Sequence, residues 1–275
     1  MLIINADDLG LAPSVNAGIE DAVGAGVVTA ASMLVNTAGF DDAVRRAAAL
    51  GPRLDVGLHF NLTLGSPVSP AETVPSLVDG AGRFLPLAGF VRRALAGRVR
   101  AGDVRREADA QLARLAASGL RASHADSHHH VHALPVVRGA LAAAATSAGV
   151  SWVRRPVEPL FARPTRFSGV VKRATLALVW MLSGGPAGPA GTLSFRGLAL
   201  RGGARFQSDL LALLDDLPEG LTELIVHPGR ADPSLASLDS YVEERADELA
   251  ALLSPPVRGR LGRDDLQLVG FGALR

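Results

Sequence analysis

Short apolar runs alternate along the chain with longer stretches in which apolar residues return every three or four positions. Seven runs have the length and composition of strands: 2–6 (LIINA), 32–36 (SMLVN), 54–60 (LDVGLHF), 121–127 (RASHADS), 150–154 (VSWVR), 221–227 (LTELIVH) and 266–271 (LQLVGF). Helical periodicity fills the intervals near 13–25, 38–50, 103–118, 134–148, 206–216 and 239–253. Ser14 is a candidate cap, Pro135 suits a first turn, and Asp239-Ser240 precede an acidic first turn. Strands alternating with helices predict an α/β fold with a mostly parallel sheet, either open or closed into a barrel. Two regions interrupt the rhythm: 63–90, with Pro and Gly spread through it, and 156–205, which carries SGGPAGPAG. Neither is long enough for a core of its own, so both are expected to be mobile insertions in a single domain spanning 1–275. No internal repeat is visible.

Composition narrows the chemistry. The formal net charge is +1 with both signs mixed along the chain, so neither nucleic acid nor an anionic membrane is the expected partner. All but one of the 28 basic residues are arginine, Lys172 being the exception. With no cysteine there is neither a disulfide framework nor a thiolate, and a metal would have to be held by histidine and carboxylate. The N-terminal MLIINADDLG shows no basic region followed by an apolar segment and cleavage site, which makes a cytoplasmic location the expectation. The most apolar later run, ATLALVWML at 174–182, is shorter than the roughly 20 residues a membrane span requires.

Four strand ends carry the reactive side chains. Asp7 and Asp8 in NADDLG follow the first strand directly; neighbours at a strand end point in different directions, so one could hold a metal while the other faces a substrate, although a turn at Gly10 would also use them. His59 ends the run VGLHFNLT, with Asn61 close behind. By itself, a lone strand histidine reads as a structural residue. ADSHHHVHAL gathers His128, His129, His130 and His132 within five positions of a chain that has seven histidines. On a strand His124, Asp126 and His128 share one face, and the series can run on to His130 and His132. Imidazole with carboxylate suits Zn, Mn, Fe, Co or Ni, and carboxylate with water also suits Mg. His227 ends LTELIVH before Pro228-Gly229, a place for a general acid or base. In a barrel these ends converge on one mouth, whereas an open sheet spreads them along an edge. That convergence favours the barrel.

NADDLG, GLHFNLT, HADSHHHVH, VHPG and SYVEERADEL, with VPSLVDGAGRF at 74–84, resemble in order and spacing the motifs of the YdjC-like carbohydrate deacetylases, the family that includes chitooligosaccharide deacetylase. The resemblance runs from residue 1 to about 270. It implies a barrel-like (β/α)7 fold related to polysaccharide deacetylases, homodimers, and one divalent metal held by Asp8, His59 and His128. Asp7 matches the catalytic base and His227 the proposed acid. Mg or Zn is the expected ion, with Mn, Co and Ni as further candidates. The segment 156–205 departs from the family pattern, echoed only by SFRGL at 194–198, and it is expected to border the substrate pocket.

The expected reaction is hydrolysis of an N-acetyl group from a small amino sugar such as a chitooligosaccharide. Asp126 is expected to hold an imidazole tautomer, and Asn61, His130 and His132 to contact substrate or orient ligands. One rival reading is a metal hydrolase of another substrate, a glycolipid N-acetylglucosamine, a phosphoester or a cyclic amide. The other is a carbohydrate-binding protein without catalysis. Aromatic residues make up 4% of the chain, too few for long stacking platforms, so a small substrate is expected over a polymer; Trp152 and Trp180 are the aromatic candidates.

Overall fold

A computed structural model describes residues 1–184 and 193–274. Its seven strands are β1 (Leu2–Leu9), β2 (Ala30–Met33), β3 (Asp55–Phe60), β4 (His124–Ser127), β5 (Trp152–Val153), β6 (Leu193–Arg196) and β7 (Leu221–Val226). All pairings are parallel and the order is β5-β4-β3-β2-β1-β7-β6. The helices are α1 (Pro13–Gly24), α2 (Phe40–Leu50), α3 (Leu87–Leu95), α4 (Ala101–Ala117), α5 (Pro135–Ser147), α6 (Phe167–Leu182), α7 (Phe206–Leu214), α8 (Glu243–Leu253) and α9 (Pro255–Leu261).

The sheet is curled into a barrel-like trough. In a flat sheet β5 and β7 would stand five strand spacings apart, about 24 Å. Yet the side chain of Arg154, just past β5, donates to Glu223 on β7 at 2.8 Å and to Asp7 on β1 at 2.7 and 2.8 Å. Only a sheet that wraps its inner face around Arg154 allows this. Strand alternation divides the residues accordingly: Leu2, Ile4, Ala6, Ala31 and Met33 pack outward under the helices, while Ile3, Ala30, Trp152, Leu193 and Leu221 meet inside. Phe271 closes that inner layer from below and stacks on the His124 ring at 4.0 Å. Above it the interior is polar: Ser32 donates to Asp126 at 2.6 Å and lies 3.1 Å from His124 Nε2. Gly57 makes room for that imidazole, since a Cβ there would sit 2.4 Å from Nε2.

The predicted strand at 266–271 is a correction. It makes one parallel bridge, Leu268 to Leu2, and then turns under the barrel. The seventh strand is instead β6, from the segment read as an insertion, because Leu193–Arg196 aligns with Leu221–Leu224 over the full strand. Segment 156–205 also supplies α6, whose inner side carries Trp180, in contact with His132, and Arg173, paired with Glu158 at 2.8 Å. Ser14 caps nothing: the N-cap position of α1 is Ala12, with Pro13 opening the helix. Pro135 does open α5, and Glu243 and Glu244 form the acidic first turn of α8. Trp152 is partly buried against the inner layer, and Trp180 is buried and stacked under Arg138 at 3.7 Å. Among the described residues no helix is long and apolar enough to cross a membrane.

Candidate active site

A cavity of about 470 Å³ opens at the C-terminal ends of the strands. Asp7, Asp8, His59, Ser127, His128 and His227 reach it from the barrel, and Asp239, Tyr241 and Arg245 from the approach to α8 and its first turn. Segment 156–205 forms the facing wall with Arg166 just before α6, Ser168, Gly169 and Lys172 within it, and residues 198–201 after β6. That segment was expected to border the pocket, and it does.

Two adjacent aspartates face one cavity because the strand is irregular there. The β1–β2 register shifts between Ala6 and Leu9, and Asp8 takes a left-handed backbone with φ +70°. Gly10, at φ +97°, completes the turn where a Cβ would lie 2.4 Å from the Leu34 carbonyl oxygen. His129 and His130 are left-handed as well, with φ +57° and +53°, so the chain after β4 folds back at once and presents His128 to Asp8. Unusual backbone conformations of this kind concentrate at functional sites.

Asp8, His59 and His128 form one cluster, each offering an atom within 4.8 Å of the others. Asp8 Oδ1 lies 2.9 Å from His128 Nδ1 and 3.3 Å from His59 Nε2, and Arg245 donates to Asp8 Oδ2 at 2.7 Å. His59 Nδ1 donates to Asp126 at 2.6 Å, which turns Nε2 toward Asp8. This is how a carboxylate fixes the tautomer of a metal-binding imidazole. Burial resists charge on His59, but the carboxylates of Asp126 and Asp7 outweigh it and raise the imidazole to about 10. Burial likewise resists ionisation of Asp8, and Arg245 and His128 overcome it, holding the carboxyl well below its usual range.

The donor set suits a divalent cation. Four buried carboxylates, Asp7, Asp8, Asp126 and Glu223, meet two buried guanidiniums, Arg154 and Arg245. Burial, helped by the neighbouring Asp126 and Asp7, pushes Glu223 up to about 7 against the pull of Arg154. Two imidazoles and a carboxylate converging in such a field are hard-to-intermediate N and O donors, open on the cavity side.

The remaining predicted residues divide. Asp7 lines the cavity; its Oδ1 accepts from Arg154 Nη2 and Asn5 Nδ2, while Oδ2 accepts from Arg154 Nη1 alone. His227 is half-buried beside the Tyr241 ring, its backbone N–H donating to Glu248 and its Nδ1 3.9 Å from the same carboxylate. His130 lines the cavity against Phe195, whereas His132 is buried between Ser127 and the Arg154 carbonyl and does not reach it. Asn61 is fully buried and bonds Asn36, Thr63 and Leu64, away from the cavity. The sequence assigns no site role to Arg154, Arg245 or Glu248, although Arg154 with Arg155 is its one basic pair at a strand end. Arg154 had a signal, since it shares parity with Trp152 on a buried strand where a charge needs a partner. Arg245 and Glu248 lie within the family-like motif SYVEERADEL, which marked the segment without giving either residue a role.

The fold and site define a class: a parallel β/α barrel-like protein with an Asp–His–His cluster and an adjacent carboxylate at the C-terminal mouth. The chain belongs to the YdjC-like protein family, whose model matches residues 1–263. It is 35% identical over 273 residues to the carbohydrate deacetylase of Brevibacillus brevis, covering 99% of each chain. It is 35% identical to the carbohydrate deacetylase of Geobacillus stearothermophilus, covering 98% of this chain and 96% of that one, and 36% identical to the Homo sapiens carbohydrate deacetylase, covering 99% and 90%. The crystal structure of an Enterococcus faecalis V583 protein, named for a proposed cellobiose-phosphate cleavage activity, superposes with a TM-score of 0.77 at 29% identity, covering 99% of this chain and 98% of that one.

Proposed function

We propose that the chain is a metal-dependent N-deacetylase of small amino sugars such as chitooligosaccharides. The observation that carries this reading is the meeting of Asp8, His59 and His128 with Asp7 and His227 around one cavity, in a chain near-collinear with proteins named carbohydrate deacetylase. Asp8, His59 and His128 would hold one divalent ion, Mg or Zn first among the candidates. When bound, such an ion supplies Lewis acidity that polarises an acetamide carbonyl and makes water easier to deprotonate.

The chain's own residues supply the proton chemistry. Asp7 takes the proton of the attacking water; Oδ1 is saturated by Arg154 and Asn5, so Oδ2, with a single donor, is the oxygen left for that proton. His227, at the rim and backed by Glu248, donates a proton to the leaving amine, which cannot depart as an anion. Asp126 keeps His59 in its tautomer, and His130 meets the sugar beside Phe195.

On the facing wall Lys172 is the cation left to meet an anionic group, should the sugar carry one, as in a phosphorylated disaccharide. Arg166 pairs with Asp209 and Arg201 with Glu244, while Lys172 has no ion-pair partner among the described residues.

The proposal takes 1–275 as a single cytoplasmic domain, with 63–90 as an insertion and 156–205 as part of the β/α framework that supplies β6, and a second copy of the chain as partner. Phe167, Val171, Ala174, Leu178 and Met181 are exposed on α6 at spacings of four and three, the seam by which two helices pack.

The test is acetate release from N,N′-diacetylchitobiose, its phosphorylated form and other N-acetylated sugars, run beside aryl phosphates and cyclic amides. Acetate from a sugar with no turnover of the other two classes supports the reading. Turnover of a phosphoester or lactam alone refutes it.

A further inference from the structure

Glu223 stands where the chemistry just described gives it no task. It points into the barrel from β7, is 1% exposed and lines no part of the cavity. Its one side-chain hydrogen-bond partner among the described residues is Arg154, whose Nε donates to Oε1 at 2.8 Å. The same guanidinium donates Nη1 and Nη2 to Asp7 at 2.8 and 2.7 Å, and Nη2 also lies 2.5 Å from Asp126 Oδ2. The backbone of Arg154 is fixed independently, its N–H on the Ala125 carbonyl at 2.9 Å and its carbonyl near His132 Nε2 at 3.1 Å.

Charge balance does not explain the residue. Asp7 and Asp126 already exceed the single positive charge of Arg154, and a third buried carboxylate adds desolvation and repulsion. An apolar side chain would fill the space without either. What Glu223 adds is direction. Asp7 and Asp126 both engage Nη2, so with acceptors on the Nη side alone the fork could tilt toward either carboxylate. A third acceptor on the Nε edge removes that freedom, because the guanidinium is planar and its donors point along fixed lines.

We propose that Glu223 is a positioning residue for deacetylation: it pins the Nε edge of Arg154, and so holds the plane in which Arg154 grips Asp7 and leaves Oδ2 open to the cavity. The proposal rests on Asp7 as the base. Glu223 touches neither substrate nor metal, and its effect travels only through Arg154.

The test uses the full-length, metal-loaded protein with Glu223→Leu and Glu223→Gln, and Asp7→Asn as control. Four readouts are taken: kcat and KM on N,N′-diacetylchitobiose, metal affinity by calorimetry, unfolding midpoint, and the Arg154 Nε–H resonance by ¹H–¹⁵N NMR. Glu223→Leu is expected to lower kcat about 10–100-fold, as loss of such supporting contacts typically does, with KM and metal affinity unchanged. Its protected Nε–H signal is expected to vanish. Glu223→Gln keeps an acceptor and is expected to retain the signal and recover part of the loss; it decides the matter if the leucine variant does not fold. Wild-type kcat in both variants while Asp7→Asn is inactive overturns the proposal and leaves the deacetylase reading intact. A fall in kcat matched by an equal fall in metal affinity also overturns it. Full turnover by Asp7→Asn removes the base assignment and the proposal together.

Discussion

His124 shows most clearly how a single residue couples the barrel's interior to pH. Its ring is packed against Ser32, Ser123, Phe271 and Gly57 and is almost wholly buried, which disfavours a charge on it. Burial lowers it to about 4, Asp126 opposing and Arg154 assisting. The unfolded chain binds this proton near pH 6.5 and the folded chain only near 4, so its stability contribution is complete above 6.5 and falls away as pH drops toward 4. His124→Gln, which cannot titrate, is expected to lose less stability than the wild type between pH 6.5 and 4, as read from urea midpoints. Parallel curves would contradict the assignment. The same scale shows what the sequence made legible and what it concealed. Asp7, Asp8, His59 and His227 were recognisable because each ends an apolar run, and His128 because it opens a cluster of histidines. Asn61 and His132 have the same chemistry and similar positions, but their hydrogen bonds are spent inside the fold, which only three-dimensional contacts reveal.

Elements with their own apolar rhythm were readable, and those stabilised by distant partners were not. β1, β3 and β7 form long ladders in the sheet centre and coincide closely with apolar runs. β6 was hidden because four residues, LSFR, carry little pattern and gain their identity from pairing with β7. The run LQLVGF looked like a strand because it is equally apolar, but its task is to plug the barrel floor. Phe271→Ala should therefore cost about 3–5 kcal/mol, as truncation of a buried aromatic does, measurable by denaturant unfolding. A change within about 0.5 kcal/mol would show that the plug is dispensable. The exposed face of α6 supports a second prediction. If it is the seam between two copies, Phe167→Ser with Met181→Ser should convert a dimer to a monomer in light scattering with the cavity intact. A wild-type monomer at all concentrations would exclude that seam.

For the whole molecule, curling the sheet is what turns scattered strand ends into one site. Arg154 reaches Asp7, Asp126 and Glu223 only because strands distant in the sheet order face one another. The barrel was inferable from the convergence of reactive residues, whereas the charge arrangement that supports them was not, since which carboxylates Arg154 and Arg245 meet is decided by strands and helices far apart in the chain. An interior with four carboxylates and two guanidiniums should be stabilised by a divalent cation. At 100 times the dissociation constant the gain is about 2.7 kcal/mol. Chelation should accordingly lower the melting temperature, and Asp8→Asn should abolish most of that difference.

The most direct test of the account is turnover by the metal-stripped protein reloaded separately with Mg, Zn, Mn, Co and Ni, with Asp7→Asn measured alongside for both acetate release and metal affinity. The account predicts no acetate without metal, restoration by at least one ion, and a loss of about 100-fold or more in Asp7→Asn at unchanged metal affinity. Acetate release that survives stripping, or an Asp7→Asn protein that turns over like the wild type, would contradict it.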